Sequence, residues 1–224
     1  MSPPPLNSMT RRSVGTLPLV GALALDRGRL HEACGPARVR LAVMAMAKAR
    51  GPVVWIRPGW WPERLNAAGL QPMADPARLI LVRADRDEAA LWAAEEALRS
   101  GAVPLVVVET VTPPGLTPVR RLHLAAEAGV EAAQRDGGTA PLGLLLLAGQ
   151  GGAPGVETRW HLAPAPSEGL LWSEATQWTL TRMRARLAPP AAWRLTRNAG
   201  GDLGLEPLPT PDLATNLAPN PAQT

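Results

Sequence analysis

The chain of 224 residues has one cysteine, three histidines, and neither tyrosine nor phenylalanine. A single cysteine, Cys34, excludes an internal disulfide and a zinc site built from paired cysteines. His31, His123 and His161 lie too far apart in sequence to form a local metal-ligand motif. We therefore expect no metal site and no disulfide framework.

Lysine is almost missing as well, because Lys48 is the only one among 23 basic residues, and the aromatic residues are 8 tryptophans. Arginine keeps its charge and tryptophan has a broad stacking face, so the pair is typical of phosphate or base contact. A coding bias towards arginine, alanine, proline and glycine explains the composition equally. The net charge of +4, with 46% hydrophobic residues, is typical of one soluble domain.

Long uninterrupted apolar runs are also absent. Two arginines before the apolar run 14–25 imitate an export signal, but a proline and two glycines interrupt that run. No stretch approaches the roughly 20 apolar residues of a membrane-spanning helix, so we expect a cytoplasmic protein without membrane contact. The ends are rich in proline, which predicts disordered tails at 1–13 and 208–224 around a single domain, 14–207.

Between the tails, short apolar runs alternate with amphipathic segments, the pattern of a parallel sheet covered by helices. Buried strands are predicted at 53–56, 79–82, 103–108 and 142–147, and helices at 39–50, 61–70, 86–99 and 117–134. Asp85 is the predicted cap of the third helix, and Trp92 and Leu124 are predicted to face inward. Beyond Gly152, polar and apolar residues alternate, which predicts antiparallel strands at 158–163, 177–187 and 192–197. The fold class is α/β, with a mostly parallel sheet to about residue 148 and an antiparallel extension after it.

Several segments resemble RecA-like proteins. Asp87 to Val111, DEAALWAAEEALRSGAVPLVVVETV, resembles the RecA segment that leads from a helix through a Ser-Gly-Ala-Val turn into the second acidic motif strand. LHEACGP, at 30–36, resembles the approach to the RecA nucleotide loop. With LILVRA, RRLHLAAEAG and TRWHLAPAPS, the whole pattern is similar to the ImuA family, RecA-like accessory proteins of bacterial damage-induced mutagenesis. The resemblance covers roughly 17–207 and implies a RecA-like sheet flanked by helices, with the antiparallel extension.

The first strand-to-helix turn, residues 31–42, takes the place of the phosphate loop. Such a loop needs an opening glycine, a second glycine, a lysine for the β- and γ-phosphates and a hydroxyl for magnesium. Gly35 and Pro36 match the opening. The other three positions are held by Arg40, Leu41 and Ala42. Because phosphoryl transfer depends on charge and positioning, we predict a degenerate loop without ATPase activity or a cofactor.

Two carboxylates fall where the resemblance places functional groups. Glu109 follows the 103–108 strand, at the position of a metal-ordering acid. Without a hydroxyl in the loop, the expected role of Glu109 is a solvated strand-end acid, and the alternative is a residual magnesium contact. Glu63, at the place of a water-activating glutamate, is interpreted as a surface residue.

The remaining candidate catalytic groups favour structural roles. His31 and Glu32 are adjacent on a strand, so their side chains face opposite ways and do not form an acid–base pair. His123 and His161 are predicted to be packed or hydrogen-bonded. Cys34 is expected to be a small buried hydrophobic residue rather than a reactive thiol.

Arginines cluster in the last third of the chain. Arg182, Arg184 and Arg186 occupy alternate positions, which predicts that they share one face of a strand. Arg194 and Arg197 extend the set on the next strand. Such a stripe suits phosphates and predicts salt-dependent DNA binding, and the alternative is a solvated outer face of the sheet.

Tryptophans provide further candidate contacts. Trp60 and Trp61 form an adjacent pair that we interpret as a partner contact, because tryptophan is enriched at interface hot spots. Trp178 and Trp193 are candidates either for stacking on bases or for packing against the sheet.

The resemblance to ImuA implies a non-catalytic scaffold of the SOS mutasome that supports error-prone translesion synthesis. The implied partners are ImuB, a catalytically inactive Y-family polymerase homologue, and an error-prone replicative-type polymerase, with RecA and DNA as further contacts. Two alternatives stay open. One is a divergent DNA-dependent ATPase that uses Arg40 and Glu109, and the other is an SOS-type cell-division inhibitor.

Overall fold

The computed structural model describes residues 14–166 and 176–209, and these residues form an α/β fold. A hairpin of β1 (Thr16–Val20) and β2 (Leu23–Asp26) comes first. The strands of the large sheet are β3 (Leu30–Cys34), β4 (Val53–Pro58), β5 (Leu79–Ala84), β6 (Leu105–Glu109), β7 (Gly143–Leu146), β8 (Thr158–Ala165), β9 (Thr176–Ala185), β10 (Ala191–Arg197) and β11 (Leu203–Leu208). The helices are α1 (Arg38–Lys48), α2 (Ala67–Leu70), α3 (Asp87–Ser100) and α4 (Leu116–Arg135). The predicted α/β class is confirmed.

Within the described residues, the large sheet has the strand order β11-β10-β9-β8-β3-β7-β6-β4-β5. The strands from β8 to β5 run parallel, and β9, β10 and β11 continue the sheet as antiparallel strands. β8 joins the two parts, because it pairs in parallel with β3 and antiparallel with β9. The antiparallel extension is therefore confirmed, and it has one strand, β11, that the sequence pattern did not predict.

Each face of the sheet carries its own apolar core. The hairpin, α1 and α2 cover one face, here called the α1 face, and α3 and α4 cover the other, called the α4 face. The run from Leu41 to Met46 in α1 is buried without a break, because the sheet lies on one side of the helix and the hairpin on the other. A helix enclosed in this way needs apolar or small residues all round.

The predicted helix at 61–70 is much shorter in the structure. Only Ala67–Leu70 is helical, and Asn66 caps it by accepting a hydrogen bond from the Ala68 N–H at 3.1 Å. Asn66 itself has an extended backbone, so the helix cannot begin before it.

The prediction that Asp85 caps the third helix is also wrong. α3 begins at Asp87 after an extended Arg86 that makes no capping hydrogen bond. The Asp87 carboxylate instead accepts hydrogen bonds from the N–H groups of Val111 and Thr112, at 3.1 to 3.2 Å, and so holds the loop after β6. Gly101, in the left-handed conformation with φ +65°, ends α3 as predicted.

Three apolar positions predicted to be buried are on the surface. The 79–82 segment is a strand, β5, but it lies at the edge of the sheet, and Leu81 is 57% exposed. Trp92 and Leu124 point outward, at 61% and 64% exposure. In α3 the residues that pack on the sheet are Ala90, Ala94 and Leu98. Trp92 is two residues from Ala90 and two from Ala94, so it lies about 200° round the helix axis from each of them.

Candidate functional site

The carboxyl edge of the parallel sheet has the geometry that open α/β folds use for ligands. The connection after β4 crosses the α1 face and the helix after β6 crosses the α4 face, so the connections diverge between these two adjacent strands. Ligands in such sheets bind in the crevice at the carboxyl ends beside this divergence. The turn at Gly35, Glu109 and the loop that follows β7 all lie at this edge.

The turn after β3 is closed by the rest of the chain. The Gly35 N–H donates to the Gly149 carbonyl at 2.9 Å, and the Ala37 N–H donates to the Leu162 carbonyl at 3.0 Å. Gly35 has φ +90°, and a Cβ there would lie 2.6 Å from the Leu162 oxygen. Pro36 has no N–H. The backbone groups that would cradle a phosphate in this turn therefore bind carbonyls of the protein itself.

The three side chains at the positions where the resemblance would place phosphate contacts point away from the turn. α1 begins at Arg38, so Leu41 and Ala42 already belong to the helix, and both are fully buried in the core. Arg40 lies over the Trp178 ring, with its guanidinium carbon 4.6 Å from the ring centroid. Burial, and then the charge of Arg197, lower the pKa of Arg40. The Arg40 side chain thus reaches towards β9 rather than back over the turn.

Glu109 is not the solvated acid that the sequence predicted. Its side chain is 3% exposed, and Oε1 accepts a hydrogen bond from Trp55 Nε1 at 2.7 Å. Arg57 Nε lies 3.8 Å from the same oxygen. These three side chains share the α1 face because β4 and β6 pair in parallel, which brings alternate residues of the two strands together. The carboxylate is therefore bound and charge-compensated within the fold.

Two guanidinium groups at this edge have a buried N–H without a hydrogen-bond partner among the described residues, namely the Nε groups of Arg38 and Arg57. Arg57 Nε is close enough to Glu109 for an ion pair but too far for a hydrogen bond. Arg38 uses Nη1 on the Gly35 carbonyl at 3.4 Å. These two nitrogens are hydrogen-bond donors that the described residues leave unused, and both are buried.

A buried carboxylate that the sequence did not identify as a centre organises the next loop. Glu32 is fully buried, and its oxygens accept hydrogen bonds from Gly152 N at 2.8 Å, Ala153 N at 3.1 Å and Arg159 Nε at 2.8 Å. Gly151 packs so closely that a Cβ there would lie 1.7 Å from Glu32 Oε1. Glu32 thus fixes the loop after β7 against β3 and β8.

His31 faces the opposite side of β3, as predicted. Nε2 donates to the Asp26 carbonyl at 2.9 Å, and Nδ1 accepts from Thr158 Oγ1 at 2.7 Å. Thr158 Oγ1 in turn accepts from Trp160 Nε1 at 2.7 Å. Burial lowers the pKa of His31 to about 4, although the hydrogen bond to Asp26 and nearby carboxylates oppose that shift. His31 is a neutral structural residue, and it does not meet Glu32.

The other histidines and the cysteine also have structural positions. His123 Nε2 donates to the Gly155 carbonyl at 3.1 Å, and its Nδ1 accepts from Leu30 N at 3.4 Å. His161 is half-buried beside the Gly35 turn. Cys34 is fully buried, and burial, followed by the charge of Glu32, raises its pKa to about 12. The predicted burial of Cys34 is confirmed.

The arginine stripe predicted on β9 is divided by a β-bulge. Arg182 pairs with Trp160 and Arg184 with Arg159, so Met183 is an additional residue on β9. Alternation therefore reverses at this point. The prediction that the three arginines of this strand share one face is wrong, because a single inserted residue moves every later side chain to the other face.

Arg182 and Arg197 lie on the α1 face, and Arg182 packs against tryptophans. The guanidinium carbon of Arg182 lies 5.3 Å from the Trp193 ring centroid and 5.8 Å from that of Trp160, and its Nε and Nη2 donate to the Pro189 carbonyl. Trp193 packs on Trp160 at 5.9 Å between centroids. Arg197 occurs two positions along β10 from Leu195, a residue of this core, and therefore faces the same side.

The remaining arginines of the set lie on the α4 face. Arg184 and Arg186 line a cavity with Arg29 and His123. Arg194 lies on this side of β10, where Nη1 is 3.8 Å from Glu206 Oε2. The five arginines therefore form two separate groups.

The two tryptophans predicted as an exposed pair differ in their surroundings. Trp60 is 52% exposed, whereas Trp61 is half-buried. Trp178 is buried in the core, so it packs on the sheet rather than being open to a base. Glu63 is exposed, as predicted.

A scan against models of known protein families gives no match, and neither does a search of curated proteins. The fold and the site define the class: an α/β protein with a mostly parallel sheet, whose first strand-to-helix turn is closed by its own chain. Among residues 14–166 and 176–209, no group of three or more His, Cys, Asp or Glu side chains could hold a metal ion. None of the helices described is long and apolar enough to cross a membrane.

Proposed function

We propose that this protein is a non-catalytic, RecA-like scaffold of the SOS mutasome, which acts in the cytoplasm and supports error-prone translesion DNA synthesis. Its partners would be an ImuB-like polymerase homologue and an error-prone polymerase, with RecA and DNA as further contacts. The observation that carries the proposal is the closed turn at Gly35, whose amides bind carbonyls of the chain.

The side chains around that turn support the absence of catalysis. Leu41 and Ala42 are buried and cannot bind a phosphate or a metal ion, and Arg40 is directed towards Trp178. Glu109 is held by Trp55. Opening the turn for a nucleotide would break the two hydrogen bonds from the Gly35 and Ala37 N–H groups. The free energy of nucleotide binding would have to offset their loss and the loss of the contact with β8.

Nucleotide binding is the first test. We expect no saturable binding when the purified protein is titrated with labelled ATP and magnesium, with or without DNA. Micromolar binding together with DNA-stimulated hydrolysis would overturn the scaffold proposal. That result would favour the divergent ATPase, for which the supporting observation is that the Nε groups of Arg38 and Arg57, at the same edge, make no hydrogen bond within the described residues.

Association with the polymerases is the second test. The structure offers a matched pair of exposed tryptophans, Trp60 at 52% and Trp92 at 61% exposure, on different elements. We expect that tagged protein from DNA-damaged cells recovers the polymerase homologue, that Trp60→Ala reduces this recovery, and that Trp92→Ala does not. Recovery of a cell-division protein without any polymerase would support the division-inhibitor alternative and contradict the proposal.

A further inference from the structure

A basic cavity lies at the edge of the sheet opposite to the Gly35 turn. It has a volume of about 490 Å³ and lies between the start of β3, the loop before β8 and the end of β9, against α4. β3 has 5 residues, so its length separates the two sites by about 15 Å. A ligand in this cavity would therefore bind independently of the closed turn.

The floor of the cavity is an internally compensated charge network. Arg29 forms ion pairs with Glu127 and, at 3.7 Å, with Glu157. His123 has both ring nitrogens engaged, and burial lowers its pKa, so it remains neutral. These contacts hold Arg29 in place and compensate its charge, and one arginine against two glutamates gives the floor a formal charge of −1.

The wall of the cavity carries two positive side chains that form no ion pair with the described residues. Arg184 and Arg186 are exposed, and among the described residues neither side chain has a hydrogen bond or an ion pair. The bulge at Met183 places Arg184 on the α4 face, and Arg186, in the bend just after β9 ends at Ala185, lines the same cavity two residues further on. Two guanidinium groups in such a row suit successive anionic groups of a chain better than a single small anion.

We propose that Arg184 and Arg186, with Arg29 behind them, form a binding site for the phosphodiester backbone of a nucleic acid. Arginine binds phosphate oxygens through paired N–H groups, and the lining contains no tryptophan on which a base could stack. Binding therefore uses the backbone alone and does not depend on base sequence. The choice of nucleic acid over another polyanion rests on the proposed function and on the chain's net charge of +4.

The test is fluorescence anisotropy with a labelled duplex and a labelled single strand, at several salt concentrations. We expect Arg184→Ala/Arg186→Ala to weaken duplex binding about tenfold, because two charge-assisted contacts are lost and solvent screens each of them at an exposed site. Removal of two phosphate contacts should also reduce the slope of log K against log salt by about 1.8. Both side chains are exposed, so the melting temperature should not change.

Two further variants distinguish binding at this site from a general effect of the chain's net charge. Arg64→Ala/Arg120→Ala removes two exposed arginines outside the cavity and should leave affinity within about twofold. Arg184→Lys/Arg186→Lys should retain the salt slope. Equal weakening by the control variant, or unchanged binding by the alanine variant, would overturn the proposal.

The competitor identifies the ligand class. Unlabelled DNA should displace the probe, and polyglutamate of equal charge should displace it less well. If polyglutamate competes better, the site is one for acidic peptides and the proposal is wrong. The scaffold proposal is tested separately by recovery of the polymerases, so either proposal can fail while the other stands.

Discussion

Replacement of Glu32 by glutamine is the perturbation that most directly tests how the carboxyl edge is held together. The carboxylate is fully buried and accepts three hydrogen bonds, from Gly152 N, Ala153 N and Arg159 Nε. Glutamine has the same shape, so no cavity forms. Its amide NH₂, however, would face a backbone N–H or the guanidinium, and Arg159 would lose its charge partner.

The expected cost follows from these contacts. Removal of one partner of a buried ion pair typically costs about 3–5 kcal/mol, because the other charge is left without compensation. Arg159 retains a hydrogen bond from Nη2 to the Ala153 carbonyl at 2.8 Å, which places the expectation near the lower limit, about 3 kcal/mol. For a domain of this size, that corresponds to a fall in melting temperature of roughly 6–12 °C.

Urea unfolding of wild type and Glu32→Gln, followed by circular dichroism, measures this difference. The midpoint should fall while the slope m stays constant, which indicates a change in stability rather than in the unfolded state. Glu131→Gln, at an exposed position of α4, is the control and should change stability by less than about 0.5 kcal/mol. A loss below about 1 kcal/mol for Glu32→Gln would refute the argument that these contacts hold the loop.

Three other predictions follow from buried groups. Restoring loop chemistry with Arg40→Gly, Leu41→Lys and Ala42→Thr should not create ATP binding in a titration, and should lower the urea midpoint, because Leu41 and Ala42 are fully buried. Cys34, with its pKa raised to about 12, should resist iodoacetamide at pH 8 in the native state and react in urea; labelling of the native protein at the unfolded rate would contradict its burial. Burial lowers the pKa of His31 to about 4, so the folded state binds fewer protons than the unfolded one, and stability should fall as pH decreases from about 6.5 to 4; His31→Gln should flatten that dependence in urea titrations.

The local sequence pattern was sufficient to predict an element where its own residues determine whether it is buried. The continuous apolar runs at 53–56 and 103–108 became β4 and β6, inside the sheet, and Gly101 ended α3 where the sequence placed a helix stop. The local pattern failed where a neighbouring element decides whether a residue is buried. Leu81 belongs to an apolar run, 79–82, that predicts a buried strand, yet no strand lies beyond β5 in the described sheet to cover it.

The candidate site shows the same division. The resemblance pointed to Gly35 and to Arg40, Leu41 and Ala42, but the closure of the turn depends on Leu162, which is more than a hundred residues away in the chain. Likewise, the burial of Glu109 depends on Trp55, which reaches it from the neighbouring strand. Such contacts follow from strand order, and local sequence does not encode strand order.

The amino-acid sequence by itself determined the α/β class and the parallel and antiparallel parts of the sheet, because these depend on residue type and periodicity. The tertiary structure decided which charged groups meet. One additional residue at Met183 reversed the alternation of β9 and separated Arg182 from Arg184. A bulge of this kind is set by the pairing of two strands, so only the folded sheet shows that Arg184 and Arg186 line a cavity while Arg182 packs against tryptophans.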